Sequence, residues 1–248
     1  MKIVVIGGTG LIGSKLCKNL QDLGHEALAA SPSTGVNVIS GDGLTEALKG
    51  ADVVVDVANS PSFEDHAALH FFETAGHNLF KAEKIDGVKH HVALSVVGTE
   101  RLLDSGYFRA KMAQEKLVKK SGIPYTILRA TQFFEFIHAI AHSGREEGNT
   151  LHLPSAALQP VASADVAAAL TEIALKVPSN QTVEVAGPDK RPLVEFASDY
   201  LKHTKDPRQT VADDTVPYFG APINDQSLTP GANPIVGATR FEDWLKSD

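Results

Sequence analysis

Tyr107 and Lys111 stand four residues apart in Ser105-Gly106-Tyr107-Phe108-Arg109-Ala110-Lys111, and the chain continues at helical spacing through Val118. On a helix, positions i and i+4 share a face, so a phenol and an ammonium are expected side by side. Ser95 lies twelve residues before Tyr107. These residue types suit reduction of a carbonyl, because the alkoxide formed by hydride transfer needs a proton. A tyrosine can supply it if a nearby cation lowers its pKa from about 10. A serine hydroxyl would polarise the carbonyl. The same Tyr/Lys spacing also arises by chance in many helices, so its weight depends on where the fold places it.

The place is suggested by the first residues. Ile3 to Ile6 is a continuous apolar, β-branched run, as in a strand buried on both faces of a parallel sheet. Gly7, Gly8, Thr9, Gly10 and Gly13 follow, and then a helical pattern from Leu11 to Leu23. Strand, glycine turn and helix in that order form a phosphate cradle. Gly7 would make the tight turn, Gly10 would let backbone approach a pyrophosphate, and Gly13 would let helix pack close to strand. Thr9, Leu11 and Ile12 would bring main-chain N–H groups of the helix start toward the anion. A ligand-free tight turn is the competing reading.

The stretch GGTGLIG resembles the short-chain dehydrogenase/reductase superfamily, in its atypical, NmrA-like branch. Ser95 with Tyr107-x-x-x-Lys111 is similar to that superfamily's catalytic set, and the segment Tyr125-Thr126-Ile127-Leu128-Arg129-Ala130 resembles a strand that leads to the nicotinamide pocket. The resemblance implies a Rossmann-type α/β fold, a doubly wound parallel sheet with a small C-terminal substrate lobe, and an NAD(P) cofactor. It implies that Lys111 holds the nicotinamide ribose, that Asp42 lies beside the adenine, and that Ala130 to Phe133 line the nicotinamide and substrate cavity. In the family two serines end the strand before the catalytic helix, the second being catalytic. Here Ser95 takes the first place and Val96 the second. A dinucleotide-binding redox sensor without turnover therefore stands as the alternative to an enzyme.

The rest of the chain fills in the cradle. His25–Ala30 reads as the second strand, and the turn after it is Ser31-Pro32-Ser33-Thr34-Gly35. NAD binders usually carry an acid there to accept from both ribose hydroxyls. None is present, and the hydroxyls of Ser31, Ser33 and Thr34 could surround a 2′-phosphate, which favours NADP over NAD. Val36–Ile39 is expected as a third strand, with Asp42 either near the adenine or capping the next helix. Asp52–Val57 is the fourth strand. It ends in Ala58, Asn59 and Ser60, at the sheet edge where open α/β folds hold ligands. A helix over 63–84 carries His66, His70 and His77, a solvated face rather than a metal site. His91–Val97 is the fifth strand and Tyr125–Leu128 the sixth.

Two parts are expected: 1–150 as the cofactor domain, with the chain returning to it up to about residue 187, and 151–248 as the substrate lobe. Residues 206–239, rich in Pro and Gly, read as a lid or binding loop carrying Tyr218 and Phe219. The 248 residues carry a net charge of −7 and no basic block, which argues against nucleic acid. Cys17 is the one cysteine, so no intramolecular disulfide forms. No apolar run is long enough to span a bilayer. The first strand begins almost at Met1, leaving no room for a leader, so a cytoplasmic monomer or weak homodimer acting on a small molecule is the expectation.

Overall fold

The computed structural model describes residues 1–247. β1 (Lys2–Ile6) is followed by α1 (Leu11–Asp22), β2 (Glu26–Ala30), α2 (Leu44–Leu48), β3 (Val53–Asp56), α3 (Asp65–Asp86), β4 (His90–Val96), α4 (Gly106–Lys120) and β5 (Tyr125–Ala130). Then come α5 (Ile137–Ala141), β6 (Arg145–Glu147), β7 (Thr150–Leu153), β8 (Ala157–Leu158), α6 (Ser163–Ala174) and β9 (Gln181–Ala186). The chain ends with β10 (Arg191–Pro192), α7 (Leu193–His203), β11 (Gln209–Ala212), β12 (Ile235–Val236) and α8 (Phe241–Ser247).

The central sheet has seven strands in the order β12-β9-β5-β4-β3-β1-β2. Its ladders are parallel, with Ile6 level with both Ala30 and Asp56, and Asp56 level with Ala93. This is the Rossmann-type doubly wound sheet that the alternation of apolar strands and helices predicts. Ile3, Val4 and Val5 have no exposed surface, as a strand covered on both faces requires.

The chain divides into two compact units. One holds Met1–Ser95, Gly106–Arg129 and Val166–Val183; the other holds Val96–Ser105, Ala130–Asp165 and everything from Glu184 onward. In the first, Val4, Ile6, Val54, Leu48 and Leu79 form a core under α2 and α3. Ala68, Phe72 and Ala110 join α3 to α4, with Tyr107 packed beside them. In the second, the fully buried Phe134, Phe196 and Phe241 make the centre, with ring centroids 5.1 and 5.3 Å apart. Residues 206–239 are less irregular than their composition suggests. β11 runs parallel to β7, β12 runs parallel to β9, and Tyr218 is buried while Phe219 stays exposed.

The expected strand at Val36–Ile39 does not form. Val36 and Val38 are buried as expected of a strand, but the main chain is held otherwise. Asn37 Oδ1 accepts from the Ile39 and Ser40 amides at 2.8 and 3.3 Å, and the Asn37 amide donates to Asp42 O at 2.9 Å. Asn78 Nδ2, on α3, donates to Val38 O and Ile39 O, both at 2.9 Å. Local side-chain bonds thus outcompete the ladder, and β2 becomes the edge of the sheet. Its outward carbonyls are occupied: Ala27 O accepts from Gln21 Nε2 at 3.1 Å and Ala29 O from Thr34 Oγ1 at 3.0 Å.

Asn78→Ala removes both donors from the 38–39 carbonyls. Stability in urea is expected to fall by about 2 kcal/mol with an unchanged m-value; an unchanged midpoint would show that water replaces the bonds without loss.

Candidate functional site

The glycine turn is shaped by close main-chain contacts. Gly7 leaves β1 with φ +78°, and a Cβ there would lie 2.9 Å from the Ala58 nitrogen. A Cβ on Gly13 would lie 2.2 Å from Gly7 O, so α1 approaches the turn only because residue 13 has no side chain. Gly10 is different. A Cβ there would meet only Gly7 O, at 3.3 Å, and its φ of −80° and ψ of −177° suit any L-residue. The protein's own packing does not demand glycine at this position, whereas an approaching pyrophosphate would. Gly10 is also the N-cap of α1, and no side chain caps that helix. The first-turn amides, at Leu11, Ile12 and Gly13, are therefore open to an anion. Thr9, Gly10 and Leu11 are exposed beside them. A dinucleotide fits this cradle.

In the same unit a cleft of about 420 Å³ is lined by Ile39, Ser60, Pro61, His66, His70 and Phe71, among others. Its walls suit a flat base, and it adjoins Ala58 and Asn59 along the chain. Asp42 has no place in it. This residue is exposed, its Oδ2 accepts from Ser40 Oγ at 2.6 Å, and the cap of α2 is Gly43 instead. After β2, Ser31 Oγ and Ser33 Oγ are hydrogen-bonded at 2.9 Å. Thr34 Oγ1 braces the turn, accepting from the Ser31 amide at 2.9 Å and donating to Ala29 O.

Tyr107 and Lys111 both lie on α4 and flank the buried ring of Phe72, with centroids of Tyr107 and Phe72 6.4 Å apart and Lys111 Nζ 4.5 Å above Phe72. The Tyr107 hydroxyl donates to Asn59 Oδ1 at 3.1 Å, which joins two of the expected site residues. Burial pushes this phenol up to about 12, opposite to the lowering that an adjacent ammonium would give. Lys111 is buried; Nζ donates to Leu94 O at 2.9 Å and to Gln114 Oε1. Burial brings its pKa down to about 8, against the pull of the Asp56 and Glu115 carboxylates. Ser95 donates to Glu115 Oε1 at 2.7 Å, within a buried pair in which Arg129 reaches both Glu115 oxygens at 2.8 Å. Glu115 pays for desolvation, yet Arg129 and Ser95 hold its carboxyl below the usual range. In the other unit, Ala130 is buried at the end of β5, and the half-buried Phe133 bridges to Val161.

Sequence reasoning named Ser60 at the cleft but missed its other walls and the polar network around Lys111. One signal was present: Asp56 is the only charge within Val53–Val57. An acid inside a strand buried on both faces must be answered by donors. Gln114 and Ala58, both hydrogen-bonded to it at 3.0 Å, are those donors.

A family model described as NAD(P)H-binding matches residues 7–176. The photosystem II assembly factor Ycf39 of Cyanophora paradoxa is 28% identical over 150 residues, covering 54% of this chain and 46% of that protein. The NAD(P)H azoreductase of Xenophilus azovorans is 28% identical over 215 residues, covering 79% and 71%. The chain spans about half the length of the first of these. An NADPH-dependent quinone oxidoreductase from Escherichia coli superposes with a TM-score of 0.66 at 20% identity, covering 86% of this chain and 78% of that one; at this identity the likeness is one of fold.

Gly10→Ala is expected to leave stability within about 1 kcal/mol of the parent while weakening dinucleotide binding at least tenfold. Gly13→Ala should lower stability by roughly 3 kcal/mol through overpacking. Paired denaturation and fluorescence titrations check both, and equal effects at the two positions would contradict the distinction.

Lys111 ties stability to pH. Its folded pKa of about 8 lies below the ordinary 10.5, so the unfolded chain binds the proton more tightly. Its contribution to stability is full above the unfolded value and is lost as pH falls through the folded one. Relative to Lys111→Met, the wild type should therefore gain on the order of 2–3 kcal/mol between about pH 7 and pH 10.5. Parallel denaturation curves across that range would refute this.

Proposed function

Because this chain belongs to the NAD(P)H-binding family, we propose that it is an NAD(P)H-dependent reductase acting on a carbonyl, a quinone or a related small apolar or aromatic substrate. The observation that carries this reading is the pair Tyr107 and Lys111 about Phe72, in the unit that holds the glycine cradle. The first-turn amides of α1, with Gly10, would hold the pyrophosphate. The 420 Å³ cleft beside Ser60 would hold the adenine. Ser31 and Ser33 favour a 2′-phosphate, since no acid is present to bind both ribose hydroxyls. The bound nicotinamide supplies hydride chemistry.

The chain's own residues do the rest. Lys111 keeps a positive charge near neutral pH, placed for a ribose hydroxyl. Tyr107, with its phenol at about 12, is neutral and carries a proton to donate. Asn59 fixes the orientation of that hydroxyl. The rings of Phe63, Phe72 and Phe108 pack around the half-buried Tyr107, with Phe63 5.2 Å away on the exposed side. The relative that is 28% identical over 215 residues is a reductase by name, an NAD(P)H azoreductase.

A non-catalytic redox sensor is the second reading. Ser95 donates its hydroxyl hydrogen bond to Glu115, and the Tyr107 phenol is raised by burial, neither of which favours proton transfer. A relative named as an assembly factor is compatible with it.

Loss of NADPH absorbance over a panel of quinones, ketones and azo compounds decides between them. Turnover is expected, with NADPH used in preference to NADH, and Tyr107→Phe should lower kcat about 100-fold or more. Absence of turnover on every compound, together with a pull-down partner whose capture follows the NADP/NADPH ratio, would establish the sensor instead.

A further inference from the structure

Asp56, Gln114 and Lys111 form a chain of buried polar contacts that has a direction. Their side chains come from β3 and α4, and they are 8%, 4% and 4% exposed. Asp56 Oδ1 accepts from the Ala58 amide and Oδ2 from Gln114 Nε2, each at 3.0 Å. Gln114 Oε1 accepts from the Lys111 ammonium. A carboxylate can only accept and an ammonium can only donate. The amide between them therefore has one orientation that satisfies both neighbours. Turned over, it would set its NH2 against the ammonium and its oxygen against the carboxylate.

The ammonium is held from every element around it. Leu94 O receives it from β4, the Phe72 ring lies under it from α3, and Gln114 and Glu115 face it from its own helix. Of these, the Gln114 carbonyl is the contact whose direction is set by another residue.

We propose that Asp56 and Gln114 are positioning residues for Lys111: the carboxylate orients the Gln114 amide, and the amide carbonyl holds the ammonium where the cofactor's nicotinamide ribose is read. This rests on the reading of Lys111 as a ribose ligand. Asp56 has a second effect of the same sign, since its charge favours the protonated lysine that burial opposes.

Asp56→Asn tests it with almost no change of shape. The asparagine oxygen still accepts from Ala58, but its NH2 now meets Gln114 and drives the amide over, taking the acceptor away from Lys111. Binding is followed by fluorescence titration with NADPH and, as a probe of the adenine half alone, with ADP. The NADPH dissociation constant is expected to rise about tenfold with ADP binding unchanged. The alkaline fall in NADPH affinity should begin at lower pH, because the lysine has lost a stabilising charge. Gln114→Met should give the same loss of NADPH affinity, and in a Lys111→Met background neither substitution should weaken binding further.

NADPH affinity within twofold of wild type in both variants, or an equal loss for ADP, overturns the proposal. If Asp56→Asn does not fold, the Gln114→Met titration decides. If Lys111→Met itself binds NADPH normally, the ribose reading falls and the proposal with it. If Lys111→Met binds weakly while Asp56→Asn and Gln114→Met bind normally, the ribose reading stands and the positioning role alone is refuted.

Discussion

The constraint on which the cradle depends is main chain against main chain at the carboxyl end of β1. Gly13 brings the first turn of α1 onto the Gly7 carbonyl, and Gly7 in turn lies against Ala58 at the end of β3. No side chain fits at either contact. The rest follows from this proximity. The uncapped start of α1 faces outward with its amides free of protein partners, and the chain leaving β3 is held against the turn. Asn59, one residue further on, meets the Tyr107 hydroxyl. A backbone contact thus sets where the chain leaving β3 meets α4.

Charge is handled differently on the two sides of α4. Glu115 has a full complement: both oxygens meet Arg129, and Ser95 adds a third bond, so its ionisation is stabilised although it is buried. Lys111 has acceptors but no carboxylate in direct hydrogen-bond contact, and burial loosens its proton against the more distant pull of Asp56 and Glu115. A fully answered ion pair fixes structure. A buried cation with uncharged acceptors is a group whose surroundings leave it available to something else.

Much of this was legible in the sequence. The buried strand, the glycine turn and the helix at the start follow from residue type and period alone, and so does the shared face of Tyr107 and Lys111. What could not be read depended on partners distant along the chain. Val36–Ile39 has the apolar spacing of a strand, but Asn78 from α3 takes its carbonyls. Ser95 has the residue type of a catalytic hydroxyl, yet its bond goes to Glu115, twenty residues on. The phenol of Tyr107 was expected to be lowered by Lys111. Instead Phe63 and Phe72, more than thirty residues earlier, pack on it together with its neighbour Phe108, and desolvation outweighs a cation whose bonds point elsewhere.

The lost strand beyond β2 also bears on how the protein behaves at high concentration. An open parallel edge offers a template on which a second extended chain can assemble, and so invites fibre growth. Here Gln21 and Thr34 already occupy the Ala27 and Ala29 carbonyls. An incoming strand could not pair with these two carbonyls without displacing those bonds. Two ordinary surface side chains thereby cover part of an edge that in a longer sheet would be covered by another strand.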